Sequence, residues 1–194
     1  MQRVYDLRKI ASADGEPILR EKSFEILLDL IEKKKPKHIL EIGVNRGLSG
    51  IAMLLKSGAS KLSGIEIDEE KIKIAKENYK LFDLTDRAKI FQGDASEIIP
   101  ILTGTYDFVF LDGPKGHYFE YLPHLLAVLS VGGILFADNV LFRGYVGEDK
   151  QAPKRHNTIK HSMENFIKAI TLDKTLKTQI IDIEDGISIT EKIL

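Results

Sequence analysis

Four polar residues stand directly after or just beyond apolar runs, where a rigid element would hold their side chains. Phe108-Val109-Phe110-Leu111 ends in Asp112, with Lys115 three residues on, and Ile134-Leu135-Phe136-Ala137 ends in Asp138-Asn139. Read as buried parallel strands, these runs bring their last residues to the carboxyl edge of a sheet, where open α/β sheets bind ligands. Two carboxylates on neighbouring strand tips repel each other unless a cation lies between them. Oxygen donors from Asp112, Asp138 and Asn139 suit a hard ion such as Mg²⁺ or Ca²⁺ rather than Zn²⁺. Mg²⁺ keeps several waters, two of which a hydroxylated substrate can replace. Taken singly, each Asp also reads as a turn or cap residue; the pairing is what points to a metal.

A second constellation lies upstream. His38-Ile39-Leu40-Glu41-Ile42 runs into Gly43-Val44-Asn45-Arg46-Gly47, and Leu48, Ile51, Ala52 and Leu55 follow at helical spacing. Strand, glycine turn and helix let a ligand approach the backbone and the free N–H groups of the helix start. The spacing is G-x-x-x-G, which lacks the middle glycine of the dinucleotide turn. Alone it fits any strand-to-helix turn. About twenty residues on, Lys61–Ile67 reads as another strand with Glu66 near its tip, placed to accept hydrogen bonds from ribose hydroxyls.

The elements that must position these residues follow from periodicity. Residues 1–17 read as irregular or weakly helical, and Glu21–Lys35 as an amphipathic helix with Phe24, Leu27, Leu28 and Ile31 on one face. Lys33, Lys34, Lys35 and Lys37 at its end either complement the helix dipole or form a phosphate patch. Helices are expected at Leu48–Ser57, Glu69–Phe82, Ser96–Leu102, Tyr118–Leu129 and His156–Thr171, with Pro123 kinking the fifth of these six or delaying its start. Strands are expected at 38–42, 61–67, 88–92, 106–111 and 134–137, and a hairpin at 178–193 turns on Asp185-Gly186. Alternating strands and helices give a mostly parallel sheet with right-handed crossovers. Strands one, four and five are expected to be neighbours, and the hairpin adds one antiparallel strand at an edge.

Bulk properties bound the rest. The chain has 194 residues, 43% hydrophobic and 29% charged, with net charge −1. One globular domain over 1–194 is expected. Without cysteine there is no disulfide, thiolate metal site or cysteine nucleophile. The charged N-terminus lacks the apolar core of a signal peptide, and no run approaches the ~20 apolar residues of a membrane span, so a cytoplasmic protein without membrane contact is expected.

Glu41-Ile42-Gly43, Gly47, Ile65-Glu66 and Gly93-Asp94-Ala95 resemble the nucleoside-binding motifs of class I S-adenosylmethionine (SAM)-dependent methyltransferases. Phe110-Leu111-Asp112-x-x-Lys115-x-x-Tyr118 and Phe136-Ala137-Asp138-Asn139-Val140 narrow the resemblance to metal-dependent O-methyltransferases of the catechol and caffeoyl-CoA type, from Glu16-Pro17-Ile18 to Asp185-Gly186-Ile187-Ser188. It implies an α/β, Rossmann-like fold with a mostly parallel seven-stranded sheet and a C-terminal antiparallel hairpin. It also implies that Asp112, Asp138 and Asn139 bind Mg²⁺ or another divalent cation and that Lys115 acts as general base. Glu66 would hold the ribose, Asp94 and Ala95 the adenine edge, and Gly43 and Gly47, with Glu41 before them, the methionine end; Asp112 would lie beside the cofactor as well. A metal holding two vicinal oxygens lowers a hydroxyl pKa and fixes the line of attack, and a lysine beside it has its own pKa lowered. Away from the resemblance, Lys115 reads as a solvent-facing loop lysine. A homodimer is expected by resemblance only.

The chain departs from that family at three points. Arg46 stands where a smaller residue is usual, and either turns outward or alters the pocket. Gly113-Pro114 replaces small or aromatic residues, and no Trp is present to wall a flat catechol. Residues 138–146 and 154–159 resemble bacterial members that methylate 5-hydroxyuridine at the tRNA wobble position. Arg143, Lys150, Lys154, Arg155, His156, Lys160 and His161 form a basic stretch suited to phosphate, or else a solvated face. His117 either lines the acceptor pocket or is a plain loop residue. The leading expectation is methyl transfer from SAM to a hydroxyl of tRNA 5-hydroxyuridine or a small vicinal diol or phenol. The alternatives are a nicotinamide-dependent oxidoreductase and a non-catalytic SAM- or RNA-binding module.

Overall fold

The computed structural model describes residues 1–58, 60–147 and 152–194. They form two compact units, Met1–Ala95 and Ser96–Leu194. In the first, helices α1 (Gln2–Ala13), α2 (Glu21–Lys34), α3 (Leu48–Ser57) and α4 (Glu69–Leu81) accompany strands β1 (His38–Ile42), β2 (Lys61–Glu66) and β3 (Ala88–Gln92), and the short α5 (Ala95–Ile98) starts at its last residue. The strands are parallel, in the order β3-β2-β1. Phe24, Leu27, Leu28 and Ile31 of α2 are all buried, as their spacing predicts, each contributing about 1.5–3 kcal/mol. Lys35 ends the helix in the left-handed conformation at φ 47°.

Residues 2–13 are fully helical, where the sequence alone shows only an irregular or weakly helical segment. No side chain caps this helix, and its stability is tertiary. Arg8, almost wholly buried, lies 3.6 Å over the Phe24 ring and donates to the Leu19 carbonyl at 2.6 Å. A buried arginine breaks the apolar period that would otherwise signal a helix.

The second unit holds β4 (Tyr106–Leu111), α6 (Tyr118–Val128), β5 (Leu129–Asp138), α7 (Asn157–Leu172), β6 (Leu176–Ile181) and β7 (Ile187–Lys192). β4 and β5 are parallel, with Phe110 opposite Phe136 and Leu111 opposite Ala137. Their tips, Asp112 and Asp138, therefore end side by side, as expected. β7 runs antiparallel to β5, and β6 antiparallel to β7. The hairpin thus places its second strand next to β5 and its first at the edge, a refinement of the single edge strand expected. β5 begins at Leu129 rather than Ile134: Ser130 Oγ bonds the Tyr106 carbonyl at 2.8 Å, which carries the pairing through the Gly132-Gly133 stretch with a register shift. α6 starts at Tyr118 and runs through Pro123. The carbonyl that loses its partner to the proline is that of Phe119, an exposed residue, so water can satisfy it. Among the described residues, no helix is long and apolar enough to cross a membrane.

Candidate active site

The first unit builds the glycine turn. Gly43 and Val44 donate their N–H groups to the Ile65 carbonyl at 3.0 and 3.3 Å, and Gly47 donates to Val44 at 2.9 Å. Three residues of the turn have left-handed backbone: Gly43, Asn45 and Gly47, at φ 89°, 50° and 77°. Gly47 is confined by packing too, since a Cβ there would lie 3.2 Å from both Ala75 Cβ and Tyr79 Cε2. Glu66, at the tip of β2, is half-buried and faces the turn. One oxygen accepts the Asn45 N–H at 2.8 Å; the other accepts those of Ile67 and Asp68 at 2.9 and 3.0 Å. A carboxylate has about four acceptor sites, so Glu66 keeps capacity for a hydroxyl while it fixes the turn and the start of α4. Gly93 donates to the Glu66 carbonyl at 2.9 Å, which sets the half-buried Asp94 and Ala95 at the adjoining strand end.

Glu41 has no exposed surface. It lies within the first unit beside Gly50 and Tyr79: a Cβ on Gly50 would come within 2.6 Å of Glu41 Oε2 and 2.1 Å of the Tyr79 hydroxyl. Burial first, and the Glu41 charge second, push the Tyr79 hydroxyl well above its ordinary pKa. Glu41 thus sits buried beside the helix that follows the turn. Arg46 turns to the chain before α2, pairing with Asp14 at 3.0 Å and Glu16 at 3.1 Å.

The second unit builds the acidic centre. Asp138 is 4% exposed and Asp112 half-buried. Burial raises both carboxyls: Asp112 to about 6, with the nearby Lys115 charge opposing, and Asp138 to about 7, where the Asp112 charge adds to burial and the Asn139 N–H and Lys115 oppose. The strand register sets Asp112 beside Asp138, and the Lys115 charge reaches both carboxyls. Asn139 follows in left-handed conformation at φ 58°, and Phe142 and Arg143 share it at φ 43° and 59°. Such strain in non-glycine residues gathers at functional sites.

Two residues complete this centre that the sequence did not single out for a role. Tyr118, the first residue of α6, is fully buried and donates to the carbonyls of Leu111 at 3.1 Å and Asp138 at 3.3 Å. One hydroxyl thereby ties the ends of β4 and β5. Periodicity places Tyr118 on the inner helix face but cannot show its hydroxyl reaching two strand ends. Asp185 of the hairpin turn accepts the Arg143 N–H, its charge helps raise Asp138, and its carbonyl accepts the Leu141 N–H at 3.0 Å. The Asp-Gly signal gives a turn, not its partner.

A divalent cation fits this donor set. Among the described residues no three His, Cys, Asp or Glu side chains gather to hold a metal; the candidate donors are the two carboxylates, with Asn139 next to Asp138 in the chain. Buried carboxyls that repel each other and resist ionisation are what a hard cation relieves. His117 is exposed, bonded to Glu120 at 2.8 Å and stacked on Tyr121 at 5.7 Å. Of the basic stretch, Arg143, Lys154 and Arg155 are exposed, Lys160 and His161 both pair with Glu164, and Lys150 lies outside the described residues.

Residues 14–193 match the O-methyltransferase family, across both units. A caffeoyl-CoA O-methyltransferase of Citrus natsudaidai is 27% identical over 166 residues, 81% of this chain and 72% of that protein. The fold is similar to that of an O-methyltransferase from Bacillus cereus solved with SAH, with TM-score 0.85 and 20% identity over 99% of this chain and 91% of the other. It is similar also to that of a Podospora anserina methyltransferase solved with SAH, with TM-score 0.83 and 22% identity over 98% and 86%. The chain belongs to the O-methyltransferase family. It is an enzyme, a SAM-dependent O-methyltransferase, which sets aside a nicotinamide-dependent oxidoreductase.

Proposed function

We propose that this chain is a divalent-cation-dependent O-methyltransferase acting on an acceptor with two adjacent oxygens, and that 5-hydroxyuridine in tRNA is that acceptor. The observation that carries the metal is the Asp112–Asp138 pair, buried enough for both carboxyls to be raised and held by one tyrosine hydroxyl across two strand ends. Mg²⁺ bound there would supply charge to lower the acceptor hydroxyl pKa and coordination sites for both oxygens. Asp112, Asp138 and Asn139 would hold it, with Tyr118 and Asp185 fixing the strand ends and the loop. Lys115, close enough to act on both aspartates, would take the hydroxyl proton as the oxygen attacks the methyl carbon in line. Glu66 would bind the ribose of SAM, with Asp94 and Ala95 at the adenine edge and Gly43 and Gly47 at the methionine end.

Support for RNA comes from Arg143, Lys154 and Arg155, exposed cations that follow the acidic centre in the chain and suit phosphate. In 5-hydroxyuridine the hydroxyl lies beside a ring carbonyl, the vicinal pair that the cation needs. The test is methyl transfer from radiolabelled SAM to tRNA carrying 5-hydroxyuridine and to a simple catechol, each with Mg²⁺ and with EDTA. Label in tRNA that EDTA abolishes supports the whole reading. Label in catechol alone moves the acceptor to small phenols, and label that survives EDTA overturns the metal. Lys115→Ala should lower the rate by about 10²–10⁴ with SAH affinity kept; a rate within about threefold of wild type removes Lys115 as base.

A further inference from the structure

The residues between α1 and α2 are fastened to the glycine turn, and the turn's own side chains make the fastening. Arg46 spreads its two terminal nitrogens over two carboxylates, Nη1 to Asp14 at 3.0 Å and Nη2 to Glu16 at 3.1 Å. The neighbouring Asn45 donates its side-chain N–H to the Pro17 carbonyl at 2.9 Å. Its backbone N–H is the one that Glu66 accepts, so a single residue joins segment 14–17 to the strand-tip acid. Asn78 of α4 holds the Arg46 carbonyl at 2.9 Å from the other side. Asp14 first, and then Glu16, hold the guanidinium pKa above its ordinary value, against partial burial. The guanidinium is thus shared between two acids of one segment, and Glu16 also lies 4.0 Å from Lys71 of α4.

From this geometry we infer that Arg46 and Asn45 are positioning residues that latch segment 14–17 onto the cofactor turn, and that the latch sets how long the cofactor stays bound. The inference rests on Gly43–Gly47 and Glu66 being the SAM site. While the latch is closed, Asn45 keeps its left-handed backbone and its bond to Glu66; when it opens, the turn loses the contacts that hold that shape. The effect belongs in dissociation rather than association, because a loosened turn still meets the ligand at the same rate but releases it sooner. The arginine matters as a fork: a lysine offers one point of charge and cannot span both acids in fixed geometry.

The test is the dissociation rate of SAH from the full chain, with hydrogen exchange at residues 14–18 as the readout of the latch. Arg46→Glu should raise the rate by roughly tenfold, within the usual range for coupled sites, and remove exchange protection from the segment. Combining it with Asp14→Arg and Glu16→Arg should restore both. Asp14→Asn with Glu16→Gln, which keep the size of both side chains and remove their charges, should reproduce the faster release; salt should speed wild-type release and leave that variant unchanged. Unaltered release in the Asn/Gln variant overturns the inference. So does a reversed-charge triple variant that recovers thermal stability but not slow release. If wild type does not bind SAH at all, the assignment of the cofactor site fails instead, and the two failures stay distinct.

Discussion

Replacing Asp138 with Asn should make the metal-free enzyme more resistant to alkaline conditions, against the usual result of deleting a site residue. Burial, with Asp112 beside it, raises the Asp138 carboxyl from 3.8 to about 7. Between those values the unfolded chain has lost the proton while the folded chain keeps it. The folded state therefore binds more protons, and stability falls as pH rises through that window. A tenfold difference in proton affinity between the two states is worth about 1.36 kcal/mol. Between pH 5 and pH 8 the folded protein should lose on the order of 2–3 kcal/mol through this group, an upper figure because the neighbouring aspartate shares the titration. The amide of the Asp138→Asn variant cannot ionise and escapes that loss. At about 2–4 °C per kcal/mol for a chain of this size, the melting temperature of Asp138→Asn relative to wild type should rise by roughly 5–10 °C between pH 5 and pH 8, measured in EDTA. Excess Mg²⁺ should reverse the order at pH 8 by stabilising wild type alone. A wild-type-to-variant difference constant from pH 5 to pH 8 would refute the argument, since it would mean that Asp138 ionises as readily folded as unfolded.

Two other substitutions probe the scaffold. Tyr118→Phe leaves the ring in place and removes a hydroxyl that serves two buried carbonyls. It should cost about 1–3 kcal/mol in urea unfolding and weaken Mg²⁺ binding, and unchanged stability would show that the strand ends hold without it. Gly47→Ala meets both a left-handed backbone at φ 77° and a 3.2 Å approach to α4. A loss of more than about 1 kcal/mol in thermal unfolding is expected, together with weaker SAH binding by calorimetry.

How much of this was legible in the sequence depended on whether a signal was local. β1, β4 and α3 fall at the residues the apolar pattern marks, and so do the strand-end positions of Asp112 and Asp138, because period and strand termination are encoded over a few neighbouring residues. α1 was hidden since its stability lies in Arg8 stacked on Phe24 rather than in caps or an unbroken apolar face. The early start of β5 was hidden because Gly132-Gly133 reads as a turn, whereas Ser130 carries the pairing from β4. Arg46 posed a choice between facing outward and altering the pocket. The answer lay about thirty residues upstream in Asp14 and Glu16, beyond any local pattern. Asp185 and Tyr118 belong to the same class: each is an ordinary turn or helix residue until the fold sets it against a strand tip.

The hairpin turn carries a consequence for how the enzyme is made. Val140 donates its N–H to the Gly186 carbonyl and Leu141 to that of Asp185, each at 3.0 Å, and β7 pairs with β5 up to Asp138 itself. The loop after the two carboxylates is thus held by residues made more than forty positions later. A nascent chain that has not yet released residues 185–187 has both aspartates and their strands but not the backbone partners that shape the loop between them and Arg143. Synthesis proceeds from the N-terminus, so the cofactor turn can form well before the acidic centre is framed. A growing chain can then carry a finished glycine turn while the loop after its two aspartates still waits for its shape.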